Sequence, residues 1–194
     1  MFSAVVLAGL IASLAMMGIM QLITYAGIAN GDMIRAVGSL FTKQLKGSFG
    51  IGLAIYLLFG ILFSWLYLSI LSAIPQQRPE ILLLIATLGG FVHGLLIGFA
   101  LVSEIVGRHP VDRFQTTGYS VALAHIVGHV VFGFAIGVSY LNFNGLLSEL
   151  TSTAFASTGF IFTGVALSIG LAFIVFNAVK NAPRSEQVAA KDSI

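Results

Sequence analysis

Residues 81–103 read ILLLIATLGGFVHGLLIGFALVS, and this stretch decides the fold class because no charged residue interrupts it. A helix needs about 20 apolar residues to cross a hydrocarbon core of roughly 30 Å, so the stretch is long enough to span a bilayer. A strand of a membrane barrel would alternate apolar with polar residues, which these positions do not. The stretch therefore predicts a transmembrane helix.

Four further charge-free windows surround it, at residues 1–31, 47–77, 114–148 and 150–179. Each is also longer than a single crossing requires. The sequence thus predicts an all-α fold, a polytopic transmembrane bundle in one domain over residues 1–180, followed by a cytoplasmic tail at 181–194. The predicted helices lie at about residues 4–28, 50–74, 81–103, 119–141 and 158–179.

The composition agrees with a membrane location. Of 194 residues, 58% are hydrophobic and 8% are charged, whereas soluble domains carry about 25% charged residues. A net charge of +2 is too small for a surface that binds the phosphate backbone of a nucleic acid, so we expect no nucleic-acid partner. The absence of cysteine excludes disulfides, thiolate zinc sites and iron–sulfur clusters.

Lysine and arginine are concentrated in alternate connections between the predicted helices. Three fall in the first connection, one in the second, two in the third, none in the fourth and three in the tail. Alternate connections share a side, so the positive-inside rule predicts an external N-terminus and a cytoplasmic C-terminus in a bacterial inner membrane. The first segment has no basic residue before its apolar run and is too long for a signal peptide, so we expect it to be retained.

The first connection itself has a helical pattern. Its apolar residues recur at helical spacing, and its basic and hydroxyl residues fall on the other face. This predicts a helix over about residues 33–45 that lies on the membrane surface or packs on protein. The apolar face comprises Met33, Ile34, Val37, Leu40, Phe41 and Leu45.

The chain also aligns with itself. Residues 56–60, YLLFG, match residues 129–133, HVVFG, and at a different offset residues 9–18 fall on residues 89–98. The second predicted helix thus resembles the fourth, and the first resembles the third. This predicts two tandem hairpins, related by an axis along the membrane normal, plus one C-terminal helix.

Small residues allow helix backbones to approach closely in a membrane. The predicted contact points are Gly60, Gly94, Gly98, Gly133 and Gly137. The motif leaves open whether the partner helix belongs to this chain or to another.

The second hairpin contains a Gly-His-x-x-x-Gly stretch, Gly128, His129 and Gly133, after a helix with His93. With these glycine-rich hairpins the chain resembles small, uncharacterised bacterial multi-pass membrane proteins, a domain of unknown function. The resemblance covers about residues 5–141 and leaves the fifth helix unmatched. The first hairpin has Tyr56 at the position where the second hairpin has His129. The resemblance implies a membrane bundle and no particular activity. Its further residues are Gly90, Gly94, Gly98, Gly137 and Tyr140.

The intramembrane histidines are the most informative side chains, because ionisable groups at bilayer depth face the bundle interior and pair there. His93 and His129 are equidistant from Val111 in the connecting loop, which predicts the same depth, close to the midplane. His125 lies one turn before His129 on the same face. His109 falls in the loop and is expected to be solvated.

Several uses of His93 and His129 stay open. The ordinary one is a neutral imidazole that hydrogen-bonds across the helix interface. Both could instead bind haem b as axial ligands or form a quinone pocket, because imidazole ligates iron and glycine leaves space beside it. A metal site would need three or four ligands, and the predicted membrane helices contain no carboxylate that could complete one. Whether a metal binds is therefore unknown. Met16, Met17 and Met20 could suggest copper, but methionine is an ordinary packing residue.

No nucleophile elbow, zinc-protease motif or phosphate-binding loop occurs, so an enzyme is not expected. The sequence predicts a non-catalytic accessory or assembly subunit of a larger inner-membrane complex, without a cofactor of its own. Its partners are the lipid bilayer and other membrane subunits or a second copy. The alternatives are a small carrier or channel, and an electron-transfer subunit that binds haem b or quinone through His93 and His129.

Overall fold

The computed structural model describes residues 2–75, 78–105, 107–115 and 118–146, and within these ranges it is helical without strands. Four helices are long and apolar enough to span a bilayer. The predicted all-α membrane bundle is confirmed for these four, and the predicted helix at 158–179 and the tail at 181–194 lie outside the described residues. The helices are α1 (Phe2–Tyr25), α2 (Met33–Thr42), α3 (Ser48–Ala73), α4 (Pro79–Ile105) and α5 (Tyr119–Phe143), with a short 3-10 turn at Asp112–Phe114.

Two helix ends differ from prediction because the backbone turns there. α1 ends at Tyr25 rather than near residue 28, since Gly27 adopts φ +69° and its amide bonds back to the carbonyl of Thr24. α2 ends at Thr42 rather than residue 45, since Lys43 adopts the left-handed conformation. Such a residue satisfies the last carbonyls of a helix and stops it.

The bundle is built around α5, whose residues are mostly buried. α4 and α1 pack along it, and α3 packs on α1 and α2 while it touches α4 and α5 only sparsely. One buried polar bond fixes the α1–α3 pair, in which the Ser64 hydroxyl donates to the Val5 carbonyl at 2.9 Å. Large apolar side chains such as Leu58 and Leu96 point outward, as expected of a surface that faces lipid.

The glycines predicted as contact points lie at helix crossings within the chain. A Cβ at Gly94 or Gly98 would meet the backbone of α5, and a Cβ at Gly133 would overlap the carbonyl of Ala86 on α4. Gly137 packs on side chains of α4, and Gly60 packs on the Ser13 side chain of α1. The small-residue prediction is therefore confirmed, and these contacts are intramolecular.

Each of the two predicted hairpins has a glycine-to-glycine approach. Gly9 meets Gly60 between α1 and α3, and Gly90 meets Gly133 between α4 and α5. The sequence alignment pairs Gly60 with Gly133, so the two crossings use equivalent positions on α3 and α5. The internal repeat itself stays a prediction.

The first and third connections meet on one side of the bundle, as their shared basic character predicted. The Arg113 guanidinium lies 3.4 Å from the Asp32 carboxylate, which also caps α2 by accepting from the Arg35 amide. The orientation of this side relative to the cytoplasm stays a prediction.

His109 is buried at 2% exposure, so the prediction that it is solvated is wrong. Its Nε2 donates to the Ala36 carbonyl of α2 at 3.0 Å, and its Nδ1 accepts from the Val111 amide at 3.1 Å. The ring also packs on Phe114. It thereby joins the α4–α5 loop to α2, a long-range contact that nothing in the local sequence announces.

Candidate functional site

His93 of α4 and His129 of α5 meet inside the bundle. Their rings are in edge contact with centroids 4.4 Å apart. The close crossing brings them together, because Gly90 and Gly94 let α4 approach the backbone of α5 at His129. The two histidines therefore lie at the same level of the helix pair, and their position near the bilayer midplane stays a prediction.

The hydrogen bonds of α5 fix the tautomer of its two histidines. His125 Nδ1 lies 2.8 Å from the Val121 carbonyl, and His129 Nδ1 lies 2.9 Å from the His125 carbonyl. A carbonyl only accepts, so each neutral ring has its hydrogen on Nδ1 and a free lone pair on Nε2. The bonds run within α5, not across the helix interface as the sequence suggested.

His93 has weaker partners. Its Nδ1 is 3.5 Å from the Tyr67 hydroxyl, which is long for a hydrogen bond. Its Nε2 is buried and has no hydrogen-bond partner among the described residues. The ring lies between Phe63, at a centroid distance of 4.2 Å, and His129. A buried nitrogen without a partner costs about 1–3 kcal/mol, so the Nε2 atom of His93 destabilises the bundle as it stands.

The three intramembrane histidines line one cavity of about 300 Å³. The rest of its wall is almost entirely apolar or aromatic, with contributions from all five helices. Sequence reasoning did not place these other residues beside the histidines. The repeat contained one signal, because it aligned Tyr56 with His129 and both line the cavity. The other residues include Met16, Val37, Tyr56, Phe59, Phe63 and Phe132.

A second space of about 440 Å³ lies between α3 and α4. Its wall is formed by outward-facing side chains such as Leu66, Val92 and Leu96, and it shares Phe63 and His93 with the histidine cavity. Among the described residues, these two rings thus separate the cavity from a groove on the outer surface of the bundle. In the described part of the chain, the sparse contact between α3 and α4 leaves this groove open.

The arrangement favours a ligand smaller than haem b. Two axial imidazoles lie on opposite faces of a macrocycle, whereas the rings of His93 and His129 touch each other. A haem between them would have to part α4 from α5, whose backbones are in contact through glycine. Nor do three or more potential ligand side chains converge on a metal position within the described ranges.

Comparison of the chain with protein-family models, with curated proteins and with solved structures finds no match. The resemblance to uncharacterised glycine-rich hairpin proteins therefore stays a prediction.

Proposed function

We propose that this protein is a membrane subunit that binds a lipid-soluble molecule with a small oxygen-bearing aromatic head group, of the quinone and quinol class. The observation that supports the proposal is the histidine cavity. It combines an aromatic wall with the Nε2 lone pairs of His125 and His129, and it adjoins a groove at the lipid surface. A ring would occupy the cavity and its apolar tail would lie in the groove.

The size and chemistry of the cavity suit such a ring. Ligand sites in proteins typically measure about 300–1,000 Å³ and are mostly apolar with a few placed polar groups. A cavity of about 300 Å³ lies at the lower end of that range and has room for one or two fused rings rather than a macrocycle. The neighbouring rings of Phe63 and Phe132 offer stacking and edge contacts.

The proposal also specifies a setting. With its basic connections in the bacterial cytoplasm and its N-terminus outside, the protein would hold the head group within the bilayer. It would act as an accessory subunit that presents this molecule to a partner in an inner-membrane complex. No catalytic step within the chain is needed for that role.

A binding titration tests this function. Purified protein in nanodiscs is titrated with a decyl-tailed benzoquinone and, separately, with its reduced quinol, and heat is measured by calorimetry. We expect saturable binding at one molecule per chain, with a dissociation constant of about 1 µM or below for the better ligand, equivalent to about −8 kcal/mol. Uptake that only follows the lipid content, without saturation, would contradict the proposal.

A matched pair of variants locates that binding. Ile97 lines the cavity, and Ile97→Trp should fill it and abolish saturable binding. Leu88, also on α4, is 53% exposed on the lipid side, so Leu88→Trp should bind as the unaltered protein does. Equal binding by the two variants would place the ligand elsewhere.

A further inference from the structure

We infer that the histidine cavity selects the reduced, hydroxyl-bearing form of its ring ligand over the oxidised, carbonyl-bearing form. The inference rests on the proposed function and adds the chemical state of the ligand. It follows from the hydrogen-bond roles of the side chains that a head group would meet.

The first step is the fixed tautomer of α5. Because the carbonyls of Val121 and His125 hold the hydrogens of Nδ1, the Nε2 atoms of His125 and His129 can only accept. Both rings are buried, so exchange of the tautomer would leave a backbone carbonyl facing an imidazole lone pair. Both rings line the cavity, so the site offers two imidazoles whose Nε2 atoms accept and do not donate.

The second step is the chemistry of the two ligand forms. A quinol hydroxyl donates a hydrogen bond, and each Nε2 atom can accept it. A quinone oxygen only accepts, so its lone pairs would lie against the lone pair of Nε2 with no hydrogen between them. Leaving such groups unmatched in a buried site costs about 1–3 kcal/mol, which corresponds to roughly a fivefold to 150-fold loss of affinity.

The remaining polar groups of the cavity do not reverse this preference. The Tyr56 hydroxyl on α3 donates to the Ser13 carbonyl at 3.4 Å, and a phenol can both donate and accept, so it tolerates either form. Ser13 also lines the cavity, and its hydroxyl can likewise donate or accept, so it favours neither form. The Nε2 of His93 is enclosed by Phe63 and His129. Even if a shift of the ring exposed it as a donor, a hydroxyl would accept from it and still donate to His129, while a carbonyl would only accept.

The test compares the two redox forms on the same protein. Under anaerobic conditions the decyl-tailed benzoquinol should bind at least about fivefold more tightly than the matching benzoquinone. Equal affinity, or tighter binding of the quinone, would overturn the inference and leave the proposed function standing. Failure of both forms to saturate would overturn the proposed function instead.

A variant and a spectrum examine the cause. His129→Gln places an amide near the position of Nε2, and an amide can donate as well as accept, so the quinol preference should fall by at least about threefold while binding persists. Independently of any ligand, ¹⁵N spectra of histidine-labelled protein should show His125 and His129 protonated on Nδ1. An unchanged preference in the variant, or a hydrogen on Nε2 in both histidines, would contradict the inference.

Discussion

Replacement of Gly133 by valine is expected to destroy the bundle. A Cβ at this position overlaps the carbonyl of Ala86 and lies against the backbone of Gly90, so the side chain has only main chain to displace. Overpacking costs about 1–3 kcal/mol when side chains can move, and more when they cannot. We expect Gly133→Val to lower the free energy of unfolding by at least about 3 kcal/mol, a large share of the total stability of a small domain.

The measurement is thermal unfolding in detergent, together with the yield of monodisperse protein. Gly18→Val is the matched control, because nothing lies within 4 Å of a Cβ built at Gly18 on α1. The control should unfold close to the temperature of the unaltered protein. If both variants behaved alike, the close crossing of α4 and α5 would be wrong.

The second large effect concerns ligand affinity. The double variant His125→Leu with His129→Leu removes both acceptors and should weaken quinol binding by at least about thirtyfold, because each quinol hydroxyl left unpaired in the buried site costs about 1–3 kcal/mol. The bundle should remain folded, since leucine is apolar and the lost Nδ1 bonds connect only to carbonyls already within α5. Calorimetry with the decyl-tailed quinol measures the affinity, and circular dichroism measures the helix content.

A control on the same helix separates the site from the fold. Val130 lies beside His129 in the sequence and is only partly buried, outside the wall of the cavity. Val130→Leu should therefore bind quinol as the unaltered protein does. Retention of full affinity by the double histidine variant would remove His125 and His129 from the site.

The spans and crossings of the fold could be predicted because the bilayer imposes a simple rule. An uninterrupted apolar stretch such as residues 81–103 has few alternatives to a helix, and small residues in it mark where another helix approaches. The ends of the helices were harder to predict. α1 stops at Tyr25 because Gly27 takes a positive φ, and a glycine in an apolar run can equally lie within a helix.

The candidate site was only half predictable. Sequence symmetry about the loop placed His93 opposite His129, and their rings are in contact. The cavity beside them depends on α3 standing away from α4, which is a property of how helices distant in sequence pack. His109 is the clearest case, because its partner is the backbone carbonyl of Ala36. Every residue has such a carbonyl, so the residue type does not indicate which one accepts the bond.

Photo-crosslinking tests the central claim, that a ring ligand occupies the histidine cavity, most directly. The probe is a benzoquinol with a diazirine where the tail leaves the ring, irradiated with the protein in nanodiscs and mapped by mass spectrometry. The account predicts labelling where the cavity meets the groove, at Phe63, His93 or Ile97, and loss of that labelling when excess unlabelled quinol competes. Labelling confined to lipid-facing positions such as Leu58 and Leu62, unchanged by the competitor, would contradict it.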